Sequence, residues 1–298
     1  MVTVKVPATS ANIGSGFDTC GLALNLYNTA AFELADSVVI SSADGSFTPQ
    51  GETNLVYQTA KHVYHLCGKP LPGLKIVQTN AVPMARGLGS SSACLAAGIL
   101  GANALLGDPL NAEDVLTLAT ELEGHPDNVA PALLGGFVVS AFDEGKVYAL
   151  KKTISTKLVF AAFIPSFKLL TEKARAALPQ QIAHRDAVYN VSRAALLSAA
   201  FCEERYDLLA VAVKDVLHQP YRLPLIAGGR RVFDLAHSLG APATFISGAG
   251  PTILSVLPAE NDTFFEQARV ALQEDRTLSA FTLHRFAADN TGAAVVQG

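Results

Sequence analysis

Between residues 83 and 93 the chain reads Pro83-Met84-Ala85-Arg86-Gly87-Leu88-Gly89-Ser90-Ser91-Ser92-Ala93. The two glycines let the backbone turn sharply and expose consecutive N–H groups. The Ala-rich apolar run beyond them reads as a buried helix starting at the serines, so its positive end falls on the same loop. Three hydroxyls add donors for phosphate or oxygen ligands for a hard cation. The chemistry on offer is anion binding. A glycine–serine cap feeding a packed helix uses the same residue types without any ligand.

Commoner phosphate motifs are absent. A Walker A loop needs Gly-Lys followed by Ser or Thr, whereas Gly68-Lys69 and Gly145-Lys146 are followed by Pro70 and Val147. No predicted strand leads into G-x-G-x-x-G, which removes the dinucleotide fingerprint. His184-Arg185-Asp186 echoes a protein-kinase catalytic loop, but Asn190 falls one position early and no D-F-G accompanies it. That triplet reads as a helix entry.

Other polar residues admit two readings each. Asn12 and Asp18 are either ligands or turn formers in a Gly-rich loop. His125 reads as a catalyst or as a helix-end residue, and Arg175 and Arg222 as a carboxylate fork or as surface charges. Glu121 and Glu123 end a predicted helix about 200° apart around its axis, so only one can face the loop. For either, a solvated helix face is the alternative.

The elements that position these groups mix strands and helices. Strands are predicted over 2–6, 22–34 and 74–77, with a helix from the Asn54 cap to Gly68. A buried helix over 90–106 stops at Gly107-Asp108-Pro109, and Asn111 caps another that runs to Glu123 before the turn Gly124-His125-Pro126-Asp127 breaks it. Segments 137–142 and 146–150 flank Asp143-Glu144-Gly145 as a hairpin. The second half carries strands at 158–164, 243–247, 253–257 and 280–286. Its helices fall at 171–178, 186–203, 206–217, 229–239 and 263–274. That order resembles a split βαβ sandwich with extra helices inserted, an α+β fold. With 298 residues and 50% hydrophobic content, two domains are expected, because single cores stop growing near ~250–300 residues. The boundary is expected at 153/154, within the stretch 151–156, giving segments 1–153 and 154–298.

Composition excludes other classes. A net charge of −4 and no run of five like charges argue against a nucleic-acid partner. The longest apolar stretch, 93–106, is shorter than the roughly 18–20 residues a membrane span needs. The chain begins with a strand-like segment and no signal-type leader, so a cytoplasmic location is expected. Cys20, Cys67, Cys94 and Cys202 lack metal-type spacing and read as free thiols.

Taken in order, the motifs resemble the galactokinase–homoserine kinase–mevalonate kinase–phosphomevalonate kinase (GHMP) superfamily. Pro-x-x-x-Gly-Leu-Gly-Ser-Ser is its phosphate-loop signature. The stretch from Val6 to Asp18, VPATSANIGSGFD, looks like its N-terminal motif. Ile246-Ser247-Gly248-Ala249-Gly250-Pro251-Thr252 looks like its C-terminal glycine loop. Glu123-Gly124-His125-Pro126-Asp127-Asn128, Thr171-Glu172-Lys173-Ala174-Arg175 and His218-Gln219-Pro220-Tyr221-Arg222 are similar to the homoserine kinase branch specifically. Ser92 departs from the pattern, since many relatives carry Ala or Gly there, and it obscures which serine ligates the metal.

The resemblance implies a two-domain fold, one like the second domain of a small-subunit ribosomal protein and one ferredoxin-like. ATP and substrate would lie between them. It implies ATP on the loop 83–93 with Asn54 near the adenine, and Mg²⁺ held by Ser91 and Glu121. It implies L-homoserine as acceptor, phosphorylated on its hydroxyl on the route to threonine. Arg175 and Arg222 would take the carboxylate, and Asp18 the amine. Thr171 and Gly248 complete that set, and Asn12, His125, Asp127 and Asn128 would surround the reacting end. Asn128 stands where mevalonate-type relatives place an aspartate base, so positioning and charge stabilisation would carry the rate, with His125 or Asp127 as alternative bases. A homodimer is implied as well. The rival readings are a kinase for mevalonate or shikimate, and a non-catalytic relative that binds ATP or a metabolite as a sensor.

Overall fold

The computed structural model describes residues 1–297; Gly298, the end of the second expected segment, lies outside them. Strand β1 (Val2–Ala11) pairs antiparallel with the long β2 (Cys20–Ala35), with a register shift between Pro7 and Ala8. The short β3 (Val39–Ser42) runs parallel to β4 (Gly73–Asn80), which pairs with the far side of β2. The predicted hairpin forms as β5 (Phe137–Asp143) and β6 (Lys146–Lys152), and β5 pairs with the start of β2.

A second sheet has β7 (Leu158–Pro165), β8 (Ala243–Ile246), β9 (Ile253–Pro258) and β10 (Phe281–Phe286) in the order β10-β7-β9-β8. That is the split βαβ order expected from the sequence. Strand β7 is buried at every position, which explains why it reads as a continuous apolar run without alternation. The chain then returns to the first sheet as β11 (Ala294–Gln297), beside β1.

Helices α1 (Leu55–Leu66), α2 (Ser90–Leu105), α3 (Ala112–Glu123) and α4 (Pro126–Leu134) belong to the first half. Asn54 caps α1 through the Tyr57 N–H, and Asn111 with Asp114 forms a capping box on α3. The second half contributes α5 (Thr171–Ala176), α6 (His184–Cys202), α7 (Leu209–Ala212), α8 (Gln219–Arg222), α9 (Gly229–Ser238) and α10 (Asp262–Glu274).

Three expectations need correction. The turn after Glu123 leads straight into α4, with Pro126 at its first position, where a missing N–H costs nothing. The continuous helix expected over 206–217 is only a short 3₁₀ turn and α7. The Asp215 carboxylate accepts from the N–H groups of Leu217, His218 and Gln219 at 2.9, 2.9 and 2.6 Å, and so starts a new turn. Strands β3 and β11 were not expected. One core cluster joins Ile13, Leu22 and Phe137 of the first sheet region to Phe160, Phe201 and Leu254 of the second. Groups that the two sheets send into the cleft are therefore held in fixed relation.

Candidate active site

The glycine–serine loop lies between β4 and α2. Gly87 and Gly89 have φ of 73° and 70°, a region that side chains disfavour. A Cβ at Gly89 would also stand 1.9 Å from the Thr9 hydroxyl, and one at Gly87 2.3 Å from the Ser247 carbonyl. The loop is pinned from both sheets. The Thr9 N–H donates to the Leu88 carbonyl at 3.1 Å, and the Ser247 hydroxyl to the Gly87 carbonyl at 2.6 Å. Arg86 donates to the carbonyls of Pro165 and Ser166 at 3.0 and 2.6 Å, so its charge anchors the loop.

This geometry changes the expectation for Gly89→Ala, which on sequence alone should affect nucleotide binding and spare stability. Alanine at positive φ costs about 1–2 kcal/mol, and its methyl displaces Thr9, which holds Asn128. We expect a melting temperature lower by several degrees, a raised KM for ATP and a lower kcat. Unchanged stability and kcat would show that the loop tolerates a Cβ.

Glu123 faces the loop. Its carboxylate accepts from the Ser91 hydroxyl at 3.2 Å and from the buried Ser92 hydroxyl at 2.9 Å. Glu121, expected there, is exposed and absent from the cavity wall, while Ser91 and Glu123 line it. The correction is the half-turn between the two glutamates, which the packing of α3 against α2 decides.

The cavity encloses about 230 Å³ and is lined by Asn12, Asp18, His125, Asp127, Asn128, Thr171, Arg175, Arg222 and Gly248 together with Ala85–Gly87 and Gly89–Ser91 of the loop. Of the expected nucleotide residues, Asn54, Pro83, Met84, Leu88, Ser92 and Ala93 are not on its wall. Asn54 is spent elsewhere, donating to the Pro49 carbonyl at 2.9 Å and to Gln78 at 2.6 Å besides capping α1.

Asn12 and Asp18 share the turn after β1, both at positive φ, which Asn and Asp tolerate better than most residues. Asn12 accepts from the Asp18 N–H at 3.0 Å and donates to the Gly248 carbonyl at 2.9 Å, tying the turn to the C-terminal glycine loop. Arg175 grips Asp18 with two parallel bonds of 2.8 and 3.1 Å, and this bond, against partial burial, raises the Arg175 pKa.

Arg222 is 1% exposed, yet it lines the cavity. It donates to the Gly248 carbonyl at 3.1 Å, but its Nε finds no partner. Burial, together with the nearby Arg175 charge, lowers its pKa to about 10. The Phe17 ring lies 5.2 Å from the Arg222 guanidinium and 5.9 Å from that of Arg175.

His218, Phe17 and Thr9 were missed by sequence reasoning. His218 stacks on Phe17 with centroids 5.2 Å apart, meets the Gly14 carbonyl at 2.7 Å through Nε2, and lies 3.3 Å from Arg222 Nη1 through Nδ1. Its position four residues before Arg222 was the available signal. Burial, aided by Arg222, holds its pKa below the usual value against the pull of Asp215. A histidine buried neutral takes up a proton on unfolding, so stability falls as pH drops below about 6.5, by up to ~1.4 kcal/mol per unit. We expect His218→Gln to lose this slope, its melting temperature approaching wild type between pH 7.5 and 5.5. A constant gap would assign the acid sensitivity elsewhere.

At the start of α4, His125 Nδ1 makes a very short contact with the buried Asp127 carboxylate. Burial lowers the His125 pKa, but the bond and charge of Asp127 outweigh it and the net shift is upward. The Asn128 side-chain oxygen accepts from the Thr9 hydroxyl at 2.8 Å, which leaves its N–H groups for the cavity.

The cavity thus combines a helix N-terminus, hydroxyls, the carboxylates of Asp18, Glu123 and Asp127, and the guanidiniums of Arg175 and Arg222. Residues 54–136 match the family described as GHMP kinases N terminal domain. The chain is 44% identical to the homoserine kinase of Clostridium beijerinckii, covering 100% of this chain and 99% of that one. It is 46% identical to the homoserine kinase of Moorella thermoacetica over 86% of this chain and 87% of that one. A crystal structure of homoserine kinase from Cytophaga hutchinsonii superposes with a TM-score of 0.87 at 28% identity, covering 99% of this chain and 97% of that one.

Proposed function

The chain belongs to the homoserine kinase family, and on that premise we propose how its cleft transfers the γ-phosphoryl group of ATP to the hydroxyl of L-homoserine, giving O-phospho-L-homoserine for threonine synthesis. One observation supports this reading most. A single cavity is lined both by the serine loop with Glu123 and by the set Asp18, Arg175 and Arg222. The first group suits phosphate, and the second suits a small molecule with a carboxylate and an amine.

The loop N–H groups and the start of α2 would bind the phosphates. Ser91 and Glu123 would hold Mg²⁺, since both offer hard oxygens at the cavity wall, and Ser92 orients the carboxylate from behind. Bound there, the ion would neutralise charge between the β- and γ-phosphates. Asn128 cannot accept a proton, so its amide would position the acceptor hydroxyl, steadied by Thr9. His125, oriented by Asp127, would take or share the departing proton.

A segment 1–153 for the nucleotide and 154–298 completing the substrate site, a homodimer and a cytoplasmic location belong to this proposal. No described helix is long and apolar enough to cross a membrane. Coupled ADP-formation assays with homoserine, mevalonate and shikimate test the acceptor. Homoserine should exceed the others in kcat/KM by at least about 10⁴-fold, as expected where a buried polar site loses its partners. Comparable turnover of an amine-free alcohol would remove the role of Asp18.

A further inference from the structure

Three arginines line the cavity. Arg86 is spent on the carbonyls of Pro165 and Ser166, and the other two stand in opposite electrostatic states. Arg175 is saturated: its fork faces the Asp18 carboxylate with both bonds made, and the pair is 38% and 33% exposed at the cavity wall. Arg222 has no carboxylate partner among the described residues, is buried, and carries an Nε with nothing to donate to. Of these two guanidiniums, only Arg222 is a standing anion receptor. Arg175 becomes one only when Asp18 releases it.

Releasing Asp18 leaves a carboxylate without its counter-charge. Its polar neighbours are Asn12, which already receives the Asp18 N–H, the His125–Asp127 couple, whose ligand atoms lie within 4.8 Å of its own, and Arg222, whose charge reaches it without a bond. Asp127 adds negative charge there, so an orphaned Asp18 is poorly tolerated. A ligand that carries only a carboxylate must therefore either leave Arg175 where it is or strand Asp18. A ligand with an ammonium beside its carboxylate exchanges partners without loss. Asp18 passes from guanidinium to ammonium, Arg175 passes from Asp18 to the ligand carboxylate, and every charge stays paired.

We propose that the Asp18–Arg175 ion pair is an internal lock that selects α-amino acids, because it withholds Arg175 from any carboxylate that does not bring its own amine. The selection then comes from the pair and exceeds the attraction of Asp18 for an ammonium. The lock takes the substrate class from the homoserine reading, but its existence does not depend on which compound is phosphorylated.

The test is calorimetric binding without nucleotide, using L-homoserine and 4-hydroxybutyrate, which lacks the amine. Wild type is compared with Asp18→Asn and with the double variant Asp18→Asn/Arg175→Gln. Asn keeps the shape and tolerates the positive φ at position 18, and far-UV circular dichroism checks that each variant is folded. Asp18→Asn should weaken homoserine by tenfold or more. It should tighten 4-hydroxybutyrate by about 1.5- to fivefold, the range for freeing one charged partner from a partly exposed pair. Adding Arg175→Gln should erase that gain. Unchanged or weaker 4-hydroxybutyrate binding in Asp18→Asn would overturn the lock, as would a gain that survives loss of Arg175. Failure of wild type to bind homoserine, with the 4-hydroxybutyrate gain intact, would overturn the substrate reading and leave the lock standing.

Discussion

Replacing Glu123 by Gln should lower kcat by about 10²–10³-fold, the range for removing one preorganised electrostatic group, while nucleotide still binds. The amide keeps the shape, accepting from one of the two serine hydroxyls through its oxygen and donating to the other through its NH₂, so the fold should hold. The charge is what disappears, and a cation between phosphates needs it. Glu121→Gln should stay within a few-fold of wild type, because that residue is exposed and away from the cavity. Steady-state kinetics over a range of Mg²⁺ concentrations decides the matter. A large loss in Glu121→Gln with a mild effect in Glu123→Gln would move the cation site to the other helix face.

The second large effect is expected at Arg222. Lysine cannot reproduce a planar fork, and the loss of one hydrogen bond to a charged group costs about 1.5–3 kcal/mol. Arg222→Lys should thus lower kcat/KM for homoserine by about 10- to 150-fold with KM for ATP nearly unchanged. The surroundings add a signature. Burial and the Arg175 charge already lower the arginine pKa to about 10. A lysine placed there starts from about 10.4 and is lowered by the same causes. Its charge is present below its depressed pKa and lost as pH rises through it. Homoserine binding by Arg222→Lys should therefore improve as pH falls, whereas wild type stays flat because arginine remains charged. A flat, weak variant would mean that geometry alone is lost. An unaffected KM for homoserine would remove Arg222 from the substrate site.

Where local chemistry dictates structure, the sequence was informative. Asn54 and Asn111 cap the helices they were expected to cap, and the glycine–serine loop opens a buried helix as its composition implies. Elements whose pairing depends on distant partners were not legible. Strand β11 is four residues long and takes its register from β1 at the other end of the chain. The periodicity over 206–217 was real but lost to the Asp215 side chain. Within the site, helical geometry showed that Glu121 and Glu123 point apart. Only the docking of α3 on α2 showed which one meets the serines. The Thr9–Asn128 bond joins residues 119 positions apart and left no local trace. Asn54 shows the reverse case, a residue whose helix cap and bonds to Pro49 and Gln78 occupy its side chain away from the cavity.

The most direct test of the account is a ³¹P NMR time course of the purified protein with Mg·ATP and L-homoserine. The γ-phosphate signal should decay as one phosphomonoester signal grows in equal amount, coupled to the two protons of the CH₂ that carries the transferred group. ATP decay into inorganic phosphate alone, or no decay with a folded protein, would contradict transfer to homoserine in this cleft.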